Sequence, residues 1–231
     1  MTEKKKKGSF VTKLLLILVL FGPGAFILYM FYSGGVDNKY QELPVFSEMG
    51  EFEFVDSYGE LVNNESQKDM ITLFTTIQTS CPQNCALDLF KFNLLVYQGY
   101  KKNHKKMKHV KIVSIVTDEN GNPVDKADEV VYMLKDLVND YDSSIWKIVN
   151  GDPKQVYDIE SNGINLFEIK VDTAFAQKAY LETMLIVDKE NKLRLVRKGD
   201  TEGMIRDFKQ HVALLQEQYD REAKALLHEK D

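Results

Sequence analysis

The sequence predicts an α/β domain, in which helices flank a mixed β-sheet, preceded by one transmembrane helix. Three observations lead to this prediction. A long stretch without charge lies near the N-terminus, apolar β-branched runs then alternate with segments of helical periodicity, and the last two apolar runs are joined by a short polar turn. Strand–helix–strand units produce parallel strands and a short turn produces an antiparallel pair, so we expect both in one sheet.

The N-terminal segment has the features of a membrane anchor. Residues 1–13 are basic, with lysines at every position of 4–7, and residues 14–32 carry no charge. A helix of that length crosses a hydrocarbon core of ~30 Å. Because flanking lysines stay in the cytoplasm, we expect everything after about Gly34 to lie outside it, beginning with a linker at 33–43. A cleaved signal peptide is the alternative, although the apolar run is long for one and no small-residue cleavage site follows it.

Residues 44–231 are expected to form the folded domain, which begins with a hairpin and two strand–helix units. Residues 51–55 alternate between polar and apolar, residues 56–59 form a turn and the chain returns at 60–62, as in a β-hairpin. Apolar runs and helical spacing then predict strands at 71–77 and 110–116 and helices at 85–104 and 126–138.

The second half of the domain predicts a strand, a late hairpin and a long terminal helix. The strand is expected at 144–149, hairpin strands at 183–187 and 193–196, and the helix at 201–227. A short helix or turn is expected to start at 150–153 and to carry Val156 and Tyr157. Thr201 is expected to cap that helix, whose apolar face is formed by Ile205, Phe208, Val212 and Leu215. We expect the late hairpin to supply antiparallel edge strands. This order of elements is that of a thioredoxin-like sheet with an N-terminal extension.

The overall composition narrows the function. The net charge is −5 and no basic stripe or RNA-binding signature is present, which argues against a nucleic-acid partner. The chain has two cysteines, too few for a disulfide scaffold, and both lie in one short motif. A redox or metal-binding role is therefore favoured over a structural one.

That motif is Ser-Cys-Pro-Gln-Asn-Cys, in which Cys81 and Cys85 lie between the strand at 71–77 and the helix that follows. A helix N-terminus stabilises thiolate over thiol. The C-x-x-x-C spacing is about one helical turn, so the two sulfurs can face the same side and either form a disulfide or bind a soft metal ion. Outside the cytoplasm such a pair oxidises unless it is kept reduced.

The chain resembles the Sco/SenC family over roughly residues 44–215. These are membrane-anchored thioredoxin-fold proteins associated with copper delivery to cytochrome c oxidase and with thiol redox chemistry. The resemblance rests on motifs that occur in the family's order: F-x-F-x-D-x-x-G at 52–59, T-S-C-P-Q-N-C at 79–85, a strand ending at Asp118, Trp146 before Gly151-Asp152-Pro153, and M-L-I-V-D at 184–188.

The resemblance implies that Cys81 and Cys85 are copper ligands or a redox pair, but the family's third ligand is missing. The family places a histidine shortly before the penultimate strand, and that position falls at or near Tyr180. No histidine lies between His109 and His211. The family's metal triad is therefore incomplete in this chain.

Other residues are poor substitutes for the missing histidine. His109 and His104 should lie at the opposite end of the sheet from Cys81, on the order of 20 Å away. Met184 could supply a thioether, although a strand methionine is more commonly a core residue. Asp118 should lie near Cys81, since neighbouring parallel strands end together, and its carboxylate would raise the pKa of a nearby thiol. We therefore expect Asp118 and Tyr180 to surround the site without binding metal.

Three functional hypotheses remain open from the sequence. The first is Cu(I) binding and delivery to the copper-site subunit of cytochrome c oxidase. The second is a thiol-disulfide oxidoreductase acting on exported protein cysteines, with Cys81 attacking and Cys85 resolving; against it, no proline precedes the late strand, where thioredoxins usually have one. The third is a non-catalytic interaction domain with a structural disulfide. In each case the protein is expected in the inner (cytoplasmic) membrane, with its domain on the periplasmic or extracytoplasmic side.

Overall fold

The structure is a computed structural model that describes residues 10–32, 42–79, 85–161, 164–165, 167 and 179–228. The chain divides into two compact units, residues 1–41 and residues 42–231. The linker residues 33–41 lie outside the described part of the chain.

The described part of the first unit is the helix α1 (Phe10–Tyr32), with Pro23 inside it. Its segment Thr12–Met30 has a mean hydropathy of 2.1 and is long and apolar enough to cross a membrane, judged by length and composition. The apolar side chains occupy every side of the helix, so the helix has no separate polar face. This pattern is typical of membrane-spanning helices and of buried core helices.

The second unit is built on an eight-stranded mixed sheet with the strand order β1-β10-β9-β4-β5-β6-β2-β3. Its strands β4, β5 and β6 are parallel to one another, and the other neighbouring pairs are antiparallel. The strands are β1 (Ser47–Glu48), β2 (Glu53–Asp56), β3 (Leu61–Asn63), β4 (Ile71–Gln78), β5 (Val110–Thr117), β6 (Trp146–Asn150), β9 (Thr183–Val187) and β10 (Lys192–Lys198). A separate small hairpin pairs β7 (Glu160–Ser161) with β8 (Ile164–Asn165).

The register of the two central strands defines two ends of this sheet. Ile71 lies opposite Val110 where β4 and β5 begin, which we call the amino end, and Gln78 lies opposite Thr117 where they finish, which we call the carboxyl end. The chain leaves β4 at the carboxyl end and enters β5 at the amino end. The helical segment between them is about as long as either strand, given the rise per residue in each, so it runs from the carboxyl end to the amino end.

Helices cover one face of the sheet and an aromatic cluster covers the other. The helices on the first face are α2 (Cys85–Phe92), α3 (Gln98–Lys102), α4 (Ala127–Leu137) and α6 (Glu202–His228). The short helix α5 (Lys154–Tyr157) lies on the other face, where Val156 and Tyr157 join the aromatic cluster. One core lies between the sheet and α2, α4 and α6 and includes Leu73 of β4. The three helices contribute Phe92, Leu134 and Phe208 to it. Phe74, the next residue, belongs to the second core, because successive strand side chains point to opposite faces.

The predicted fold class is confirmed, with two corrections to its elements. The single helix expected at 85–104 is interrupted by a π-helical turn at Asn93–Tyr97 and ends at Lys102. The late hairpin does not supply the edge strands, because β9 pairs with β4, β10 pairs with β1, and the edges are β1 and β3. The two-residue strand β1 is too short to show an alternating pattern. The α6 cap is confirmed, since Thr201 Oγ1 accepts a bond from the Met204 amide at 3.3 Å.

Candidate functional site

The C-x-x-x-C motif connects the carboxyl end of β4 to the start of α2. β4 ends at Gln78, and Cys85 is the first residue of α2. Cys81 and the Cys85 side chain lie outside the described residues, so their pairing and their roles stay predictions. What the backbone shows is that Cys85 begins a helix, where unpaired amide groups favour an anionic sulfur.

The end of β4 is fastened to the end of β5. The Thr79 amide donates to the Thr117 carbonyl at 2.9 Å, and the Thr79 hydroxyl donates to the same oxygen at 3.3 Å. The Gln78 side chain donates to the Glu119 carbonyl at 3.2 Å. The thiol motif therefore starts directly beside the loop that follows β5.

Asp118 shapes that loop. Its Oδ1 accepts bonds from the amides of Asn120 at 2.8 Å and Asn122 at 2.7 Å, and its Oδ2 accepts from the Asn122 side chain at 2.8 Å. These bonds close the turn over residues 118–122, as aspartate commonly does in loops. Asp118 thus lies at the carboxyl end of the sheet, and its influence on a cysteine pKa stays a prediction.

Tyr180 is buried against the same loop. Its hydroxyl donates to the carbonyl of Gly121, and its ring stacks on Phe167 with centroids 5.0 Å apart. Burial raises the pKa of Tyr180 to about 12, and the nearby carboxylates of Asp152 and Asp118 contribute to the increase. The phenol is therefore neutral and its proton is committed to a backbone carbonyl, which makes it unsuited to binding Cu(I).

Two features of this end could not be read from the sequence. Gly121 has φ +77°, and a Cβ built there would overlap the Tyr180 hydroxyl oxygen. The Thr76 hydroxyl donates to the Leu181 carbonyl at 2.8 Å and so fixes the turn that carries Tyr180 to β4. The only sequence signal was the Asn-Gly-Asn turn at 120–122, which marks a left-handed position without naming its partner.

The remaining candidate ligands lie elsewhere. Met184 is 4% exposed and belongs to the core beneath the helices. His109 lies at the amino end, where its carbonyl accepts a bond from the Ile71 amide, and His104 lies in the loop before it. His211 is on α6, with Nδ1 2.8 Å from the Asp207 carbonyl. Within the described ranges, no histidine lies at the carboxyl end of the sheet.

Comparison with known proteins supports the fold. No protein-family model matches the chain, and no curated protein matches it. Among solved structures, the chain is similar to BsSco, described as a member of the Sco family of cytochrome c oxidase assembly proteins. The two share 19% identity over 76% of this chain and 98% of that one, with a TM-score of 0.55. A SCO1/SenC family lipoprotein from Bacillus anthracis str. Ames shares 18% identity over 72% of this chain and 96% of that one, with a TM-score of 0.51. The chain therefore has the thioredoxin-like fold of Sco proteins, and the Sco/SenC resemblance drawn from its sequence is confirmed at the level of the fold.

Proposed function

We propose that this chain is a membrane-anchored Sco/SenC-like protein that binds Cu(I) through Cys81 and Cys85 and delivers it to the copper-site subunit of cytochrome c oxidase. One observation carries the proposal: in a fold shared with Sco proteins, a C-x-x-x-C motif joins the end of a buried central strand to the first residue of α2. BsSco is described as a member of the Sco family of cytochrome c oxidase assembly proteins, which suggests the class of partner.

Thiolate chemistry suits this cargo. Cu(I) is a soft ion that cysteine sulfur selects. Delivery requires only ligand exchange, in which each copper–sulfur bond to this chain is replaced by a bond to a partner ligand while copper stays Cu(I). Because Tyr180 and Met184 are both buried in other packing roles, the two thiolates would hold the ion without a third ligand from either residue.

The membrane arrangement follows from α1 and its flanking charges. Lysines at positions 4–7 and at 13 precede the charge-free segment 14–32 and favour a cytoplasmic N-terminus. The folded unit then lies on the extracytoplasmic side of the inner membrane, where the copper-site subunit of an oxidase is accessible. A cleaved signal peptide would release the same domain into that compartment.

A second candidate function is thiol–disulfide reduction of exported cysteines. The Tyr180 hydroxyl already donates to the Gly121 carbonyl and is not available as a metal ligand. This favours thiol exchange, which needs no third ligand. The Cys81 thiolate would attack one sulfur of a substrate disulfide and release the other as a thiolate. Cys85 would then attack Cys81, which frees the reduced substrate and leaves the pair oxidised. Two electrons thus pass from this pair to the substrate, and an external dithiol reductant would restore the pair.

Oxidase activity in cells tests the proposal. In cells that lack this protein, we expect low cytochrome c oxidase activity that the unaltered chain restores. Cys81→Ser and Cys85→Ser should each leave activity at the level of the deletion, because either change removes half of the ligand pair. Met184→Leu is the control, since it keeps a similar core volume and should restore full activity. Full restoration by both cysteine variants would contradict the proposal.

A further inference from the structure

A group of exposed lysines lies at the amino end of the sheet, opposite the thiol motif. These lysines lie where α3 ends, at Lys102, and in the segment that leads from it to β5, which begins at Val110. We call residues 102–109 the lysine loop. Its four lysine side chains are all exposed: Lys102, Lys105, Lys106 and Lys108.

The loop has a defined shape that directs these lysines outward. The amides of Lys106 and Met107 both donate to the Asn103 carbonyl, at 2.9 and 3.0 Å, and the Val110 amide donates to the Met107 carbonyl at 3.0 Å. Met107 packs against the core, and the Gln216 side chain of α6 donates to the Lys106 carbonyl. The lysine loop is therefore tied to the domain through its backbone and Met107, which leaves its four lysine side chains available.

Most of this positive charge is not neutralised locally. Lys101, just before the loop, pairs with Asp140 at 3.4 Å. Among the residues that the structure describes, the four lysines of the loop form no ion pair. A surface of this kind attracts an anionic partner.

The pKa of His109 reflects the charges around the lysine loop. Burial lowers the pKa of His109 first, and the charges of Lys189 and Lys108 lower it further, against the opposing carboxylates of Asp69 and Asp220. Lys189 follows β9, so it extends the basic region from the lysine loop across the amino end of the sheet.

The chain also enters the folded unit at this end. Arg194 binds the carbonyls of Leu43 and Pro44, and its partner Asp188 directly follows Val187, which lies opposite Thr72 near the start of β4. The first described residues of the folded unit therefore lie at the end that carries the lysine loop.

We propose that the lysine loop binds the anionic phospholipid headgroups of the membrane that holds α1. Each lysine close to an anionic bilayer strengthens binding about fivefold, and covalent attachment to the same membrane makes even weak contacts effective. The thiol motif, at the opposite end of the sheet, would then point away from the lipid and towards the exposed part of a partner. The inference depends on α1 lying in a membrane and is independent of copper binding or thiol exchange.

Lysine acetylation of the full chain in lipid nanodiscs tests this inference. We compare discs of phosphatidylcholine alone with discs that also contain phosphatidylglycerol, and measure acetylation rates by mass spectrometry. Lysine-loop rates should fall about three- to tenfold in the anionic discs, and high salt should remove the difference. Lys126 and Lys154, which are exposed near the carboxyl end, should react equally in both discs.

Matched variants separate the loop from general charge effects. Lys105→Gln with Lys106→Gln should at least halve the protection of Lys102 and Lys108, whereas Lys126→Gln with Lys154→Gln should leave it unchanged. Equal acetylation in both kinds of disc would overturn the inference. Protection of the lysine loop in discs of phosphatidylcholine alone would also overturn it, because such protection would indicate a protein contact. Failure of the chain to enter discs would overturn it as well. None of these outcomes bears on the cysteine variants in the oxidase assay.

Discussion

Arg194→Ala is expected to lower the free energy of unfolding by about 3–5 kcal/mol. Arg194 is 6% exposed, and its guanidinium donates to Asp188 Oδ2 at 2.8 Å. Asp188 is 3% exposed, so the substitution leaves a buried carboxylate without its counter-ion. It also removes donors to Leu43 and Pro44 and to the Gln218 side chain, which together tie the start of the domain to α6.

Arg197→Ala is the matched control on the same strand. Arg197 binds Asp207 Oδ2 at the same distance of 2.8 Å, but both side chains are 39% exposed. Solvent screens such a pair, so we expect a loss of about 0–1 kcal/mol. Denaturant unfolding followed by the fluorescence of the single tryptophan, Trp146, measures both variants. Equal losses would show that Arg194 does not act as a buried counter-ion.

Gly121→Ala is expected to lower the free energy of unfolding by about 3 kcal/mol, from backbone strain and overpacking together. Its φ of +77° disfavours any side chain, and the new methyl group would overlap the Tyr180 hydroxyl oxygen. Tyr180 is fully buried between aromatic rings, so its hydroxyl cannot move aside without disturbing the second core. The loop that Asp118 closes would shift as a result.

Gly59→Ala isolates the backbone part of this effect. Gly59 has a similar φ of +82°, and nothing lies within 4 Å of a Cβ placed there. We expect a loss of about 1 kcal/mol. Tyr180→Phe combined with Gly121→Ala should recover part of the larger loss, because the clashing oxygen is gone. If the two glycine variants lose the same amount in denaturant unfolding, the Gly121–Tyr180 contact has no energetic weight.

Periodicity was sufficient to predict the central part of this fold. The β-branched runs became the buried parallel strands β4 and β5, and the predicted apolar face of α6 is buried at Ile205 and Phe208. These features depend on local spacing, which a sequence displays directly. The position of the thiol motif, between a strand and a helix, followed from the same spacing.

Long-range contacts were beyond the sequence. Arg194 meets Leu43, and Tyr180 meets Gly121, across separations of 151 and 59 residues. No periodic pattern encodes such pairs, because each depends on how several strands are ordered. Two short elements also escaped prediction. The π-helical turn continues the helical spacing of its neighbours, and β1 has only two residues, so neither produces a distinct pattern in the sequence.

These contacts bear on the choice between copper delivery and thiol exchange. Tyr180, at or near the position where the Sco/SenC resemblance implied a histidine, serves as a packing residue that holds the loop after β5. If copper binds, it relies on the cysteine pair, and a two-thiolate site favours Cu(I) strongly over Cu(II). If copper does not bind, the same pair retains what thiol exchange requires.

Anaerobic titration of the reduced full chain with Cu(I), against a competing chelator, is the most direct test that this protein carries copper on its thiol pair. We predict one Cu(I) per chain, and loss of that binding in the Cys81→Ser/Cys85→Ser variant. Binding no stronger than that of the double variant would contradict copper delivery. The reduction potential of the pair would then separate a reductase from a domain with a structural disulfide, since structural disulfides resist reduction.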